Sequence, residues 1–296
     1  MRDRGHEQEV GEAGLRFGRL ERGRLLPTFV EAFSDYAVDM SHVTRELKEA
    51  RALKNNVDWD VSVGVFDGER MVAFTLIAVD DWSGHSAAFD AATGVVPGYR
   101  GRGLAGRMLE HALPELRRRG VTRFVLEVLQ QNEPAIRAYR RSGFEVERAF
   151  DCFAVEPARL STGPDADHVV STLPRGALAA LDPQMDWRPS WENGPRAIAR
   201  IPDALVVLGV VQDDLLVGSI VYSPLLGWIM ALVVHREHRG RGVASSLLRG
   251  LIDRLPRNVA QVRLVNVDGE DSAMRAFLER RGFVHTVSQF EMVRRI

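Results

Sequence analysis

The chain has 296 residues, 45% hydrophobic and 27% charged, with a formal net charge of -1. This is the composition of a soluble globular protein with room for about two domains of ~100–200 residues, and its charge balance offers nothing to nucleic acid or to an anionic membrane. The single cysteine, Cys152, excludes an intramolecular disulfide, and without a charged-then-apolar leader or a long apolar run the expected location is cytoplasmic.

In chain order, residues 1–14 read as a loose polar tail and Leu15–Leu20 as a first strand. Leu25–Tyr36 and Ser41–Leu53 read as helices, the second with Ser41 as N-cap. Trp59–Asp67 and Met71–Val79 alternate as strands joined by a hairpin turn at Asp67-Gly68-Glu69-Arg70. A third run, Ala87–Val96, enters the glycine-rich stretch Pro97-Gly98-Tyr99-Arg100-Gly101-Arg102-Gly103-Leu104-Ala105-Gly106, which opens a helix reaching Arg119. Arg123–Leu129 is the next strand, Pro134–Arg141 a short helix, and Phe144–Val155 two final strands. Pro157–Asp167 is the linker candidate, dividing the chain at 158/159. Beyond it come a weak strand at His168–Thr172, broken helices over 175–200 and a hairpin of Leu205–Val211 with Leu215–Tyr222. Trp228–Val234, Gln261–Val267 and the helix Ser272–Arg280 complete the second half.

The glycine stretch occurs twice. An offset of 139, from Arg100 to Arg239, carries Arg100-Gly101-Arg102-Gly103 onto Arg239-Gly240-Arg241-Gly242 and the apolar stripe Leu104, Met108, Leu109, Ala112, Leu113, Leu116 onto Val243, Leu247, Leu248, Leu251, Ile252, Leu255. Glycines let backbone N–H groups approach a ligand closely, the helix N-terminus adds partial positive charge, and the arginines add full charges, which together suit a phosphate-bearing ligand. One such turn is equally a solvated arginine-rich helix start; two with the same spacing favour the ligand site.

Gly101-x-Gly103-x-x-Gly106 also satisfies the dinucleotide fingerprint, with Glu127 at its acidic position. Against this, five residues separate Val95 from Gly101, Ser245 replaces the last glycine in the second copy, and strands already precede the motif. A phosphate loop of the Gly-Lys-Ser/Thr kind is absent.

Arg100-x-x-Gly103-x-Ala105 and Arg239-x-x-Gly242-x-Ala244, with Asn132-Glu133-Pro134-Ala135-Ile136-Arg137-Ala138-Tyr139 and Gly143-Phe144, resemble the signatures of the GCN5-related N-acetyltransferases, the GNAT superfamily. The resemblance implies an α/β chain of two tandem GNAT-like domains, 1–158 and 159–296, each a mixed, mostly antiparallel sheet flanked by helices. It implies acetyl-CoA as co-substrate, bound by backbone around Arg100, Gly101, Arg102, Gly103, Leu104, Ala105 and Gly106, by main chain at Val95 and Val96, and by Asn132. The second copy offers Val234, Arg239, Gly240, Arg241, Gly242 and Ala244 for the same purpose. The expected activity is transfer of the acetyl group to a primary amine of a small molecule or peptide by direct attack.

Tyr139 then stands where the family often has its general acid, although its spacing with Ala135, Ile136 and Phe144 also makes a buried stripe. Glu127 and Asp90, on the strands flanking the expected gap, are candidate bases. Asn132 reads equally as a helix cap, and Asp35, Tyr36 and Asp39 as walls of an acceptor groove or as surface. In the second copy Tyr139 falls on Leu278, Asn132 on Asp271 and Glu127 on Asn266, so that half is expected to be degenerate. The rival reading is a non-catalytic acyl-CoA-binding or regulatory protein. His235 and His238 lack a third ligand at metal spacing, so no metal is expected; no membrane or nucleic-acid partner is expected, and homo-oligomerisation is left open.

Overall fold

The computed structural model describes residues 14–35, 44–161, 163, 167–201 and 205–296. By contacts the chain forms two compact units, one of Met1–Glu147 with Phe290–Ile296 and one of Arg148–Gln289. These units are not contiguous, as the division at 158/159 is, because one long strand runs out of the first unit into the second and the last strand returns.

The first unit begins with β1 (Leu15–Arg19), α1 (Arg22–Ala32) and α2 (Arg45–Asn55), followed by β2 (Val63–Asp67), β3 (Arg70–Trp82) and β4 (His85–Val95). Strands β1 to β4 form an antiparallel sheet, β2 and β3 turning through Gly68-Glu69 as the hairpin signal requires. The apolar run of β3 is buried on both faces, as befits a central strand. After α3 (Leu104–Arg118), β5 (Arg123–Leu129) pairs in parallel with β4. α4 (Glu133–Arg141) and the start of β6 (Glu145–Val155) follow, and the sheet is finished by the end of β12 (Val284–Arg295). β6 is one strand where two were expected, and β12 is a strand for which the sequence reading assigned nothing.

The stripe of α3 packs with Val65, Phe124, Leu126, Phe144 and Met292 on one face of this sheet. α1 covers the other face through Leu25, Phe29 and Ala32 over Phe66 and Phe74. The N-cap of α2 is Thr44, whose Oγ1 accepts from Leu47 N–H at 3.2 Å; Ser41 lies outside the described residues.

The second unit holds the rest of β6, then β7 (Ser171–Thr172), α5 (Pro195–Arg200), β8 (Val206–Gln212), β9 (Leu215–Ser223), β10 (Trp228–Val234), α6 (Val243–Ile252), β11 (Val262–Asp268) and α7 (Ser272–Arg280). β7 to β10 are antiparallel, β10 and β11 parallel across α6, and β11 is antiparallel to β6. Residues 175–184 and 191–193 are 3₁₀ turns where broken helices were expected.

Candidate active site

Between β4 and α3 the chain passes through Gly101 and Gly103 at φ 78° and 67°, and in the second unit through Gly240 and Gly242 at 71° and 81°. Left-handed backbone at these four places is what only glycine adopts without strain. Gly103 and Gly242 are also the N-cap residues, so α3 and α6 begin with no side-chain cap and no acid in the first turn. α2, α4 and α7 are capped by Thr44, Asn132 and Asp271, whereas α1 and α5 also lack a side-chain cap but do not start from a left-handed glycine. The first N–H groups of a helix have no intrahelical acceptor, so α3 and α6 present a positive end to an acceptor from outside, which fits a pyrophosphate. Leu104 and Val243 are buried and have only their backbone to contribute; Ala105 and Ala244 follow them in the same first turn. Gly106 serves packing instead, since a Cβ there would stand 2.8 Å from Ser142 Oγ.

Arg100 does not face that helix end. Its guanidinium donates from Nε to Val95 O (3.1 Å), from Nη2 to Ala32 O (2.9 Å) and bidentately to the Asp35 carboxylate (2.7 Å each), tying the end of α1 to the turn. Arg239 repeats the clamp, with Nε on Val234 O (3.1 Å), Nη2 on Gln184 O (2.9 Å) and Nη1 on Asp186 (2.6 Å). The signature arginine is thus a frame for the turn in both units, and the charge it was expected to offer a ligand is spent on an aspartate. Asp35 is thereby a clamp residue; Tyr36 and Asp39 lie outside the described residues. Arg102 and Arg241 are exposed beside the turn.

The strands carrying the turn part company just before it. β4 and β5 pair from Ala87↔Arg123 to Asp90↔Leu126, and β4 then bulges at Ala91, Ile77 facing Asp90 and Leu76 facing Ala92. Because β4 runs on to Val95, residues 91–95 are its length without a β5 partner; beyond it Val96 N–H is used on Val72 O of β3 (3.0 Å). Glu127, half-buried, stands one residue past the last paired position of β5. Asn132 caps α4, its Oδ1 accepting from Ala135 N–H at 3.3 Å.

At the parting point a buried polar group is assembled from two strands, β3 and β4, and the helix α4. Tyr139 Oη donates to Asp90 Oδ2 at 3.2 Å, Thr93 Oγ1 lies 2.8–2.9 Å from both carboxylate oxygens, and Thr75 Oγ1 lies 3.3 Å from Oδ1. The structure therefore joins Tyr139 to Asp90 and keeps Glu127 on the other strand. The body of Tyr139 is core, edge-on to Phe144 at 5.9 Å, while its hydroxyl reaches the Asp90 carboxylate. Thr75 and Thr93 carried no signal in the sequence, because a bulge decides that positions 90 and 93 share a face.

Burial pushes the Asp90 carboxyl up to about 6, against the hydroxyls of Thr93 and Tyr139, which lower it. A folded value above the unfolded 3.8 means stability that is full below pH 3.8 and lost as pH rises through about 6. That loss amounts to ~3 kcal/mol for a fully buried group. Urea denaturation of the parent and of Asp90→Asn across pH 4–8 should show the parent falling relative to the variant over that window; a constant difference would refute the shift.

The second unit has the frame without the polar group. Its β10 bulges at Met230, the counterpart of Ala91, and its pairing with β11 stops at Ile229↔Leu264. Asp90 is replaced by Ile229, Thr93 by Leu232, Tyr139 by Leu278, and Thr75 by Ile220, which faces Leu232 as Thr75 faces Thr93. Ile220, Ile229 and Leu278 are fully buried in that unit's core. Just past the parting, Asn193 Nδ2 donates to Val265 O (2.8 Å) and Asn266 Nδ2 to Ser190 Oγ (3.0 Å), so the buried segment 190–193 fills the place with protein. The rings of His235 and His238 meet edge-to-face at 5.6 Å, and no metal-binding cluster occurs among the described residues.

The family model described as "Acetyltransferase (GNAT) family" matches residues 26–144 and again 177–283. The chain is similar to streptothricin acetyltransferase of Streptomyces lavendulae, 38% identical over 28% of this chain and 42% of that protein. It is similar also to mycothiol acetyltransferase of Corynebacterium aurimucosum, 40% identical over 18% of this chain and 17% of that protein. The chain thus spans less than half the length of either curated relative. Among solved structures it resembles a GCN5-related N-acetyltransferase from Sphaerobacter thermophilus (TM-score 0.73, 15% identity, 95% of both chains). It resembles equally a tandem GNAT protein from the clavulanic acid biosynthesis pathway (TM-score 0.72, 18% identity, 95% of this chain and 98% of that one).

Proposed function

The chain belongs to the acetyltransferase (GNAT) family, which it matches in both halves, and from that premise we propose that its first unit moves the acetyl group of acetyl-CoA to a primary amine by direct attack. What supports the reading is the Tyr139–Asp90 pair at the parting of β4 and β5, on the strand that leads into an uncapped helix end, in one unit and not in the other. Acetyl-CoA supplies an activated thioester; the backbone of Gly101–Ala105 holds its pyrophosphate. Tyr139 gives a proton to the departing thiolate, and Asp90, whose carboxyl is poised near 6, shares and restores that proton. Glu127, at the open edge of β5, takes the proton that the acceptor ammonium must lose. Asn132 orients α4, and with it Tyr139.

The second unit supports the other reading, a non-catalytic module. It keeps the turn of Arg239–Gly242 but has no hydroxyl or carboxyl where Tyr139 and Asp90 stand, and segment 190–193 fills the gap between its strands. The acceptor is an amine of a small molecule or peptide, and the reaction is cytoplasmic. Among the described residues no helix is long and apolar enough to cross a membrane.

Free-thiol release from acetyl-CoA with a panel of amines tests the activity. Calorimetry is expected to give one acetyl-CoA per chain, with ~2.7 kcal/mol of stabilisation of the first unit at a hundredfold excess over Kd. Two sites of equal affinity, or preference for a nicotinamide dinucleotide, would overturn the assignment.

A further inference from the structure

Only two lysines occur in the chain, Lys48 and Lys54, and their settings differ. Lys54 is fully buried. Lys48, on α2, is half-buried on the α1 side of the first unit's sheet, the face opposite Tyr139, with Nζ 2.9 Å from the ring centroid of Phe29 and 6.0 Å from that of Phe74. Those two rings stack at 5.8 Å. Phe74 faces Gly94 across the β3–β4 pair, and its ring takes the space a Cβ on Gly94 would need, 2.6 Å away. Gly94 belongs to the stretch of β4 that has no β5 partner. The amine therefore stands over an aromatic floor whose far edge is the open strand.

A cation on ring faces is a common stabilising contact, worth ~0.5–1 kcal/mol at exposed sites. Here the setting opposes the charge. Among the described residues Arg51, one helical turn along, is the charged group acting on Lys48, and no carboxylate pairs with it; burial first and Arg51 second push its ammonium down to about 7. Near neutrality a large share of the side chain is thus a free amine, a nucleophile on a flexible four-carbon stem.

We infer that Lys48 is itself an acetyl acceptor, modified by acetyl-CoA bound at the first unit's turn when no other amine is present. The inference rests on the reading of that turn as the coenzyme site. The Nζ lone pair forms the new C–N bond at the thioester carbonyl carbon, the C–S bond breaks and its electron pair leaves with sulfur. The surplus proton on nitrogen passes to the thiolate, leaving an Nε-acetyl-lysine and free CoA, with no further reactant. The modified side chain is neutral and can no longer repel a cationic acceptor from this aromatic wall.

The full chain is incubated with acetyl-CoA without an amine and analysed by peptide mass spectrometry, with melting temperature read in parallel. The expected result is one acetyl group on Lys48, none on Lys54, loss of the label in Lys48→Arg, and suppression by excess CoA. In a second arm acetic anhydride, which needs no coenzyme site, is applied at graded pH and should label Lys48 with a midpoint near 7. A midpoint of an ordinary lysine, about 10, overturns the inference. So does acetyl-CoA that raises the melting temperature yet leaves Lys48 unmodified, a result that keeps the coenzyme site. Labelling that excess CoA does not suppress shows solution chemistry and also overturns it. Neither a melting shift nor a label removes the coenzyme reading and the inference together.

Discussion

Tyr139→Phe is expected to lower turnover ~10²–10⁴-fold while leaving acetyl-CoA affinity nearly unchanged. The ring stays where it is, because its place is held by the core around Phe144 and not by the hydroxyl. What disappears is the Oη donor on Asp90 Oδ2 and the proton it carries. Steady-state rates with a reactive amine, together with the melting temperature, check this. A rate within a few fold of the parent on a chain that melts normally would return Tyr139 to a purely structural role. Asp90→Asn gives the companion measurement: an amide oxygen still accepts from Tyr139 but cannot take up its proton. The variant should keep the orientation of the tyrosine and lose whatever limb of the pH–rate profile lies near 6.

The comparison of the two units explains how much of this was legible in sequence. The glycines, the stripe of α3 and Asn132-x₆-Tyr139 are local signals, and local signals survive the step from sequence to structure. Gly101 and Gly103 could be read because only glycine tolerates their backbone, and the loss of Tyr139 to Leu278 because the offset of 139 never drifts between the turns. Arg100 reads in the sequence as a ligand-facing charge, because its partner, Asp35, lies 65 residues earlier and no spacing rule links the two. Asp90 was visible as a carboxylate on a strand, but its hydroxyl partners were not. Thr93 and Thr75 come onto its face only through the bulge at Ala91 and the pairing of β3 with β4. Segment 190–193 was hidden for the same reason, its contact with Val265 spanning 72 residues. β12 gives no strand signal in sequence because the run after Phe283 mixes polar and apolar residues without clear alternation, its pairing being decided by strands far away in sequence.

Ending the chain at Gln289 should unfold the first unit, although the residues removed come after the whole of the second. Phe290–Ile296 belong to the first unit by contact. Met292 is fully buried in its core, Phe290 and Ile296 pack against that core, and Ile296 N–H donates to Thr122 O at 3.0 Å. Arg294 pairs with Glu110 on the outer face of α3. Truncating a single buried methionine to alanine costs ~2–5 kcal/mol. Losing the strand adds two more apolar side chains and a row of backbone partners, against a total stability of ~5–15 kcal/mol for an ordinary domain. Scanning calorimetry of the truncated chain should therefore lose the transition that acetyl-CoA shifts, and thiol release should be lost with it. Met292→Ala is the milder control, expected to lower that transition without abolishing it. A chain ending at Gln289 that melts and turns over like the parent would show that the first unit closes its sheet without β12. By the same logic a cut at 158/159 should not yield two folded halves, since it parts the first unit from its last strand and the second from residues 148–155, of which 150–155 pair with β11.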